Sequence, residues 1–351
     1  MIPVLFIDQS LIEIDMGFLS DIPSFSFKRP LFAGILGNTM LSTVRGISGA
    51  GPSPAKTVLT PGLDAELITY GEIRSMAGTS DTPSGCPTPA SITRAMMTLA
   101  GLTPLFINAG LTTRPPVPCL DVYGEPGADP RYGDAVPDAD RLRVAGARVG
   151  EFLSSVSDLL VLGECVPGGT TTALCVLRGL GYEASVSSSF AENPVSQKEA
   201  VWSAVSERLK AGSVAAPFDV VRATGDPMMA VAVGIAETYK GTLVLAGGTQ
   251  MLAVAAVLRG LDLPVPFLAT TEYVRRDPSA NIDALAGEIG AKVFYVDPGF
   301  ATLGHPGLAR YCIGEVKEGM GAGGAMLLAA LLGHTPEAIR QQILSTVMVY
   351  R

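Results

Sequence analysis

The feature that most constrains this chain is a recurrence of short apolar runs of strand length, at Leu31 to Leu36, Pro104 to Asn108, Leu159 to Gly163, Thr242 to Ala246, Val265 to Ala269 and Lys292 to Val296. Stretches with helical spacing lie between most of them: Pro89 to Ala100, Asp140 to Ser155, Thr172 to Leu180, Gln197 to Lys210, Pro227 to Tyr239, Gln250 to Arg259 and Asn281 to Ile289. Strands buried on both faces and joined by helices form a parallel sheet. The expected fold is therefore α/β: a Rossmann-like, doubly wound, mostly parallel sheet of about six strands with a smaller helical domain. Residues 26–322 are expected to form the large nucleotide-binding domain, and 1–25 with 323–351 the small one. Between Thr112 and Pro137 six prolines and three glycines mark an irregular segment, either a lid or a surface connection.

Composition narrows the function. Hydrophobic residues make up 48% of the 351 and charged ones 17%, with a net charge of −8. No basic cluster exceeds Arg275-Arg276, so nucleic acid is not an expected partner. Five scattered cysteines without a CxxC pair and two histidines, His305 and His334, give no zinc-site spacing; both histidines are expected at the surface. The N-terminus lacks the pattern of a signal peptide and no apolar run reaches a membrane span, so the expected location is cytoplasmic.

Chemistry concentrates in two acid-and-glycine clusters. Val316 to Gly324 sets Glu318 among glycines ahead of an apolar run, where a carboxylate base and a helix N-terminus can meet an anionic substrate; a capped helix with an acid in its first turn fits the same residues. Gly163 to Thr172 has the order strand, glycines, hydroxyls, helix, which suits a phosphate and also an ordinary capped helix. Gly247-Gly248-Thr249 follows a strand and fits a second wall of the same crevice, as do the strand ends Gly37-Asn38-Thr39 and Ala109-Gly110. Asp226 is read as a helix cap. Lys56-Thr57 looks like the end of a Walker A loop, but Ala50 and Ala55 replace its glycines. The Gly319 to Gly324 run lacks a preceding strand and clean dinucleotide spacing, and no two acids are adjacent to handle a magnesium diphosphate.

Taken in order, Gly46–Gly51, Pro87–Ala95, Val166–Leu174, Gly225–Met228, Leu245–Met251 and Val316–Gly319 resemble the nicotinate-nucleotide:dimethylbenzimidazole phosphoribosyltransferase family, in particular its divergent branch of archaea and some bacteria. Gly163 to Thr172 is similar to the family's Gly-Glu-Met-Gly-Ile-Gly-Asn-Thr-Thr motif, with one extra residue and Thr170 in place of asparagine. Lys317 to Gly321 is similar to its Gly-Glu-Gly-Thr/Ser-Gly motif, with Met320 in place of the hydroxyl residue. The resemblance implies that Glu318 is the catalytic base. It implies that Glu164, Gly168, Gly169, Thr170, Thr171, Thr172, Gly247, Gly248, Thr249, Gly319 and Gly321 hold the nucleotide. Asn38 and Thr39 stand where the family's Asp-His would meet the acceptor base.

The implied reaction moves the ribosyl phosphate of nicotinate mononucleotide to a benzimidazole-type base for cobalamin assembly and releases nicotinate, in a homodimer. Nicotinate departs from a pyridinium that is already cationic, so its departure needs no general acid, metal or cofactor. A catalytically inactive nucleotide-binding regulatory or accessory protein of the same fold is the rival expectation.

Overall fold

A computed structural model describes residues 17–51, 53–76, 81–212 and 216–348. Its strands are β1 (Pro30–Gly37), β2 (Leu105–Gly110), β3 (Leu120–Asp121), β4 (Leu159–Cys165), β5 (Thr242–Ala246), β6 (Phe267–Thr271) and β7 (Val293–Val296). They form one sheet in the order β3-β2-β1-β4-β5-β6-β7, with every paired neighbour parallel. This is the doubly wound order, and its direction reverses between β1 and β4. Each expected strand is present; the seventh, β3, comes from the proline-rich segment. That segment is neither lid nor loose connection: Val117, Val122, Ala135 and Val136 are core residues. Its Gly127 N–H donates to Asn38 O, and its Gly127 O accepts from Met40 N–H.

The helices are α1 (Pro54–Thr57), α2 (Thr60–Tyr70), α3 (Pro89–Ala100), α4 (Ala139–Val156), α5 (Gly169–Gly179), α6 (Val195–Ala211), α7 (Pro217–Thr224), α8 (Pro227–Thr238), α9 (Thr249–Gly260), α10 (Glu272–Arg275), α11 (Ile282–Ile289), α12 (Pro306–Ala309), α13 (Ala322–Leu331) and α14 (Pro336–Met348). Alternation along the strands divides them into two layers. Leu160 and Leu162 of β4 face the layer of α4, α5, α7, α8, α9 and α11. Leu159 and Val161 face the layer of α2, α3, α13 and α14. We propose residues 17–25 with α13 and α14 as the smaller helical unit; Phe18, Leu19 and Phe25 lie in this second layer. The rest of that unit's expected N-terminal part, residues 1–16, is outside the described residues.

α13 shows why so many glycines gather near residue 320. All of its residues are buried, and small side chains let it lie directly on the sheet. A Cβ on Gly323 would lie 2.4 Å from the backbone carbon of Thr270, and one on Gly324 2.3 Å from Ala246 Cβ. Gly321, at φ +67°, would meet Gly163 Cα at 2.9 Å. Those glycines serve helix-to-sheet packing. His305 is also not a surface residue: it is buried, and its Nδ1 caps α12 by accepting from Leu308 N–H at 3.1 Å.

Candidate active site

A cleft of about 790 Å³ opens outside the carboxyl ends of β4 and β5, beside the point where the strand order reverses. Doubly wound sheets hold ligands at this place, and the volume suits a nucleotide-sized molecule. Its walls include residues 48–51 and 56–64 after β1, Thr88 and Pro89 at the start of α3, 164–170 at the end of β4, 248–250 after β5 and 315–319 before α13. Ser187 to Ala191 closes one side.

Glu318 lines the cleft, and its carboxylate is held from behind. Oε2 accepts from Thr271 N–H at 3.1 Å, Thr270 Oγ1 at 3.2 Å and Gly323 N–H at 3.2 Å, while Oε1 accepts from Gly319 N–H at 3.0 Å. Gly323 lies in the first turn of α13, so the acid caps this helix and faces the cleft as well. Burial pushes the Glu318 carboxyl up to about 7, against the pull of these amide hydrogen bonds. A carboxylate poised near neutrality is suited to accept a proton there.

Its neighbour Lys317 fixes the loop. Nζ donates to Ser188 O, Phe190 O and Gly314 O at 2.9–3.0 Å and pairs with Asp277 at 3.3 Å. With its donors committed, the lysine pins Ser187 to Ala191 to the Glu318 loop. Glu315 is tied up similarly by Thr82, Ser84 and Arg310. Burial raises its carboxyl, but those partners hold it below the ordinary glutamate value.

At the other end two helices of adjacent crossovers, α5 and α9, point their N-termini into the cleft through Gly168, Gly169 and Thr170 and through Gly248, Thr249 and Gln250. Helix N-termini attract anions. Gly168 sits at φ +82°, and a Cβ there would lie 3.1 Å from Ser42 Cα. Thr249 Oγ1 is buried and has no hydrogen-bond partner among the described residues. Glu164, between these termini, accepts from Gln250 Nε2 at 2.6 Å. Burial pushes Glu164 up to about 8; Gln250 opposes the rise, and Asp226 and Glu318 add to it. Kept neutral, this acid does not repel a dianion. Lys56 stands exposed on the lip.

Several expected site residues lie elsewhere. Asn38 and Thr39 do not line the cleft. Asn38 is wholly buried, with Nδ2 donating to Val58 O at 3.0 Å and Oδ1 accepting from Thr112 N–H at 2.9 Å. It is a staple for the loops that fill the ends of β1 and β2, and Thr39 caps the turn that follows. Thr172 Oγ1 donates to Asp226 Oδ2 at 2.7 Å behind the cleft, and Thr171 is likewise buried away from it. Asp226 caps α8 as expected, accepting from Met229 N–H. Gly247 packs behind Glu164, and Gly321 lies under α13. In their place the cleft gains Ser48, Lys56, Asp64, Thr88, Pro89 and Ser187 to Ser189. Of these, Ser48, Thr88 and Pro89 fall within segments that carried the family resemblance.

Fold and cleft define a doubly wound α/β protein with an acid-lined crevice at its switch point. No family model matches the chain. It belongs to the family of UPF0284 proteins: it is 43% identical over 321 residues to the UPF0284 protein of Thermococcus onnurineus, covering 90% of this chain and 96% of that one. It is 41% identical over 326 residues to the UPF0284 protein of Methanothermobacter thermautotrophicus, covering 89% and 91%. Among solved structures the fold matches nicotinate-nucleotide-dimethylbenzimidazole phosphoribosyltransferase from Thermus thermophilus, with a TM-score of 0.60 and 18% identity over 91% of this chain and 84% of that one. CobT from the same organism matches with a TM-score of 0.59, 17% identity and coverage of 90% and 84%. No helix among the described residues is long and apolar enough to cross a membrane.

Proposed function

We propose that this protein transfers the ribosyl phosphate of nicotinate mononucleotide to a nitrogen heteroaromatic base of the benzimidazole type, releasing nicotinate, in the assembly of cobalamin-like cofactors. The observation that carries this reading is Glu318: a carboxyl pushed up to about 7 by burial, aimed into a cleft whose other end is built for an anion.

In this reading the phosphate lies against Gly168, Gly169, Thr170, Gly248 and Thr249. A ring nitrogen of the acceptor attacks the ribose carbon that bears the pyridinium. The new carbon–nitrogen bond forms as the old one breaks, and the departing pair neutralises the nicotinate ring, so the leaving group needs no proton. The attacking ring becomes cationic and gives the proton on its other nitrogen to Glu318. Glu164, neutral beside the phosphate, is left to orient the ribose. The likeness in fold to the Thermus thermophilus enzymes supports the assignment at the level of architecture.

The homodimer implied by the sequence resemblance is part of the proposal. α4 presents Val144, Phe152 and Val156, all exposed, at spacings that share one helical face. Light scattering should give twice the chain mass, and a monomer at micromolar concentration would remove this element. The activity itself is tested by chromatographic assay of nicotinate after mixing the protein with nicotinate mononucleotide and a panel of aromatic bases. Base-dependent release supports transfer; tight mononucleotide binding without release under any base would favour a regulatory role.

A further inference from the structure

The cleft holds a carboxyl that proton transfer does not use. Asp64, on α2, lines it together with Leu63, Ile73, Met76 and Pro89. Its Oδ1 accepts from Thr88 Oγ1 at 3.3 Å, and its Oδ2 accepts from Cys165 Sγ at 3.6 Å. The Thr88 contact is long, and a carboxylate has about four acceptor positions, so capacity remains toward the cleft. Burial pushes Asp64 up to about 7, against the hydrogen bonds from Cys165 and Thr88.

Asp64 and Glu318 are joined along one wall. Thr88 contacts Asp64 and precedes Pro89, and a Cβ on Gly319 would lie 3.3 Å from Pro89 Cγ. Gly319 in turn follows Glu318. Glu318 and Asp64 thus both border Pro89 in the cleft, through Gly319 and Thr88 respectively, with Leu63, Ile73 and Met76 among the other lining residues.

We propose, resting on the transfer reading above, that Asp64 is a specificity-determining residue for the acceptor base: it selects a fused heteroaromatic ring carrying a hydroxyl or amino donor on the edge away from the attacking nitrogen, over a ring carrying methyl groups there. A donor at that edge completes the coordination of the half-buried carboxyl. A methyl group leaves it dehydrated and unpaired, and sites built around a polar partner discriminate strongly against analogues that lack it.

The test compares hydroxybenzimidazole with dimethylbenzimidazole as acceptors, measuring kcat/KM for nicotinate release by the full chain and by Asp64→Asn and Asp64→Leu. The parent should prefer the hydroxylated base by about tenfold or more. Asp64→Leu should bring the ratio to within about threefold of one or invert it. Asp64→Asn keeps the shape and the contact with Thr88, so it guards against a folding defect, and it should fall between the two. A parent ratio near one, or a ratio unchanged in both variants, overturns the assignment while leaving the transfer reading in place. If neither base supports release, the transfer reading fails, and calorimetric affinities of the same two bases for the three proteins decide Asp64 by the same ratios.

Discussion

At the scale of single residues, two neighbouring threonines separate binding from stability. Thr170 lines the cleft at the start of α5. Thr170→Val should weaken mononucleotide binding by about 1–2 kcal/mol, from the loss of one hydrogen bond to a charged group, with little change in stability. Thr172 instead gives its hydroxyl proton to buried Asp226. Thr172→Val should cost about 1–3 kcal/mol of stability and leave affinity nearly unchanged. Calorimetry and urea unfolding of the two variants check the division; equal affinity losses would put Thr172 back in the site. That Glu318 and Gly168 to Thr170 border a cleft was legible in the sequence because acid, glycine and hydroxyl recur there in an order tied to chemistry. Asn38 and Thr39 misled because a strand's carboxyl end marks a cleft only where another loop does not fill it. Asp64 was invisible: it stands in a helix with no motif, and its contacts with Thr88 and Cys165 are made across 24 and 101 residues.

At the scale of elements, the strands were readable because each is buried on both faces and so appears as an unbroken apolar run. β3 was not, since two residues paired along β2 leave no periodicity to detect. α2 was missed for a related reason: its apolar residues do not gather on one face of the helix. The glycines around residue 320 read as ligand contacts, whereas most of them set how closely α13 approaches the sheet. Gly323→Ala tests this. Its methyl carbon would enter the backbone of Thr270, which cannot yield as a side chain end can. The variant should lose about 1–3 kcal/mol and, because Gly323 and Thr270 both hold Glu318, should lose turnover at temperatures where it remains folded. Unfolding and activity measured together check it; a neutral substitution would mean that α13 sits less tightly than described.

At the scale of the whole molecule, the cleft makes folding depend on pH. Burial raises Asp64 and Glu318 to about 7, Asp226 to about 6 and Glu164 to about 8. In each case the folded value exceeds the unfolded one, so the folded state binds more protons. The stability these groups contribute is fully present below the ordinary carboxylate range and is lost as pH rises through 6–8. Lys198, which burial lowers to about 7, regains stability only above that value, and His334, lowered by burial, opposes the trend as a single group. The urea midpoint should therefore fall between about pH 5 and about pH 7. A flat or rising midpoint would show that these acids are better solvated than the fold implies. Binding an anion beside Glu164 should steepen the fall, since the neutral acid is the form compatible with it.

Whether Glu318 takes the proton of the attacking base is tested most directly by single-turnover nicotinate release, followed across pH, in the parent and in Glu318→Gln. Glutamine keeps the size but cannot accept the proton, and it turns a donor toward amides that need acceptors, so some stability is lost as well. Under folded conditions with saturating mononucleotide and the best acceptor, the parent rate should rise with pH through an apparent value near 7. The variant should be slower by about 10²- to 10⁴-fold, without that rise and with mononucleotide affinity preserved. A variant within a few-fold of the parent, showing the same pH profile, would contradict the account.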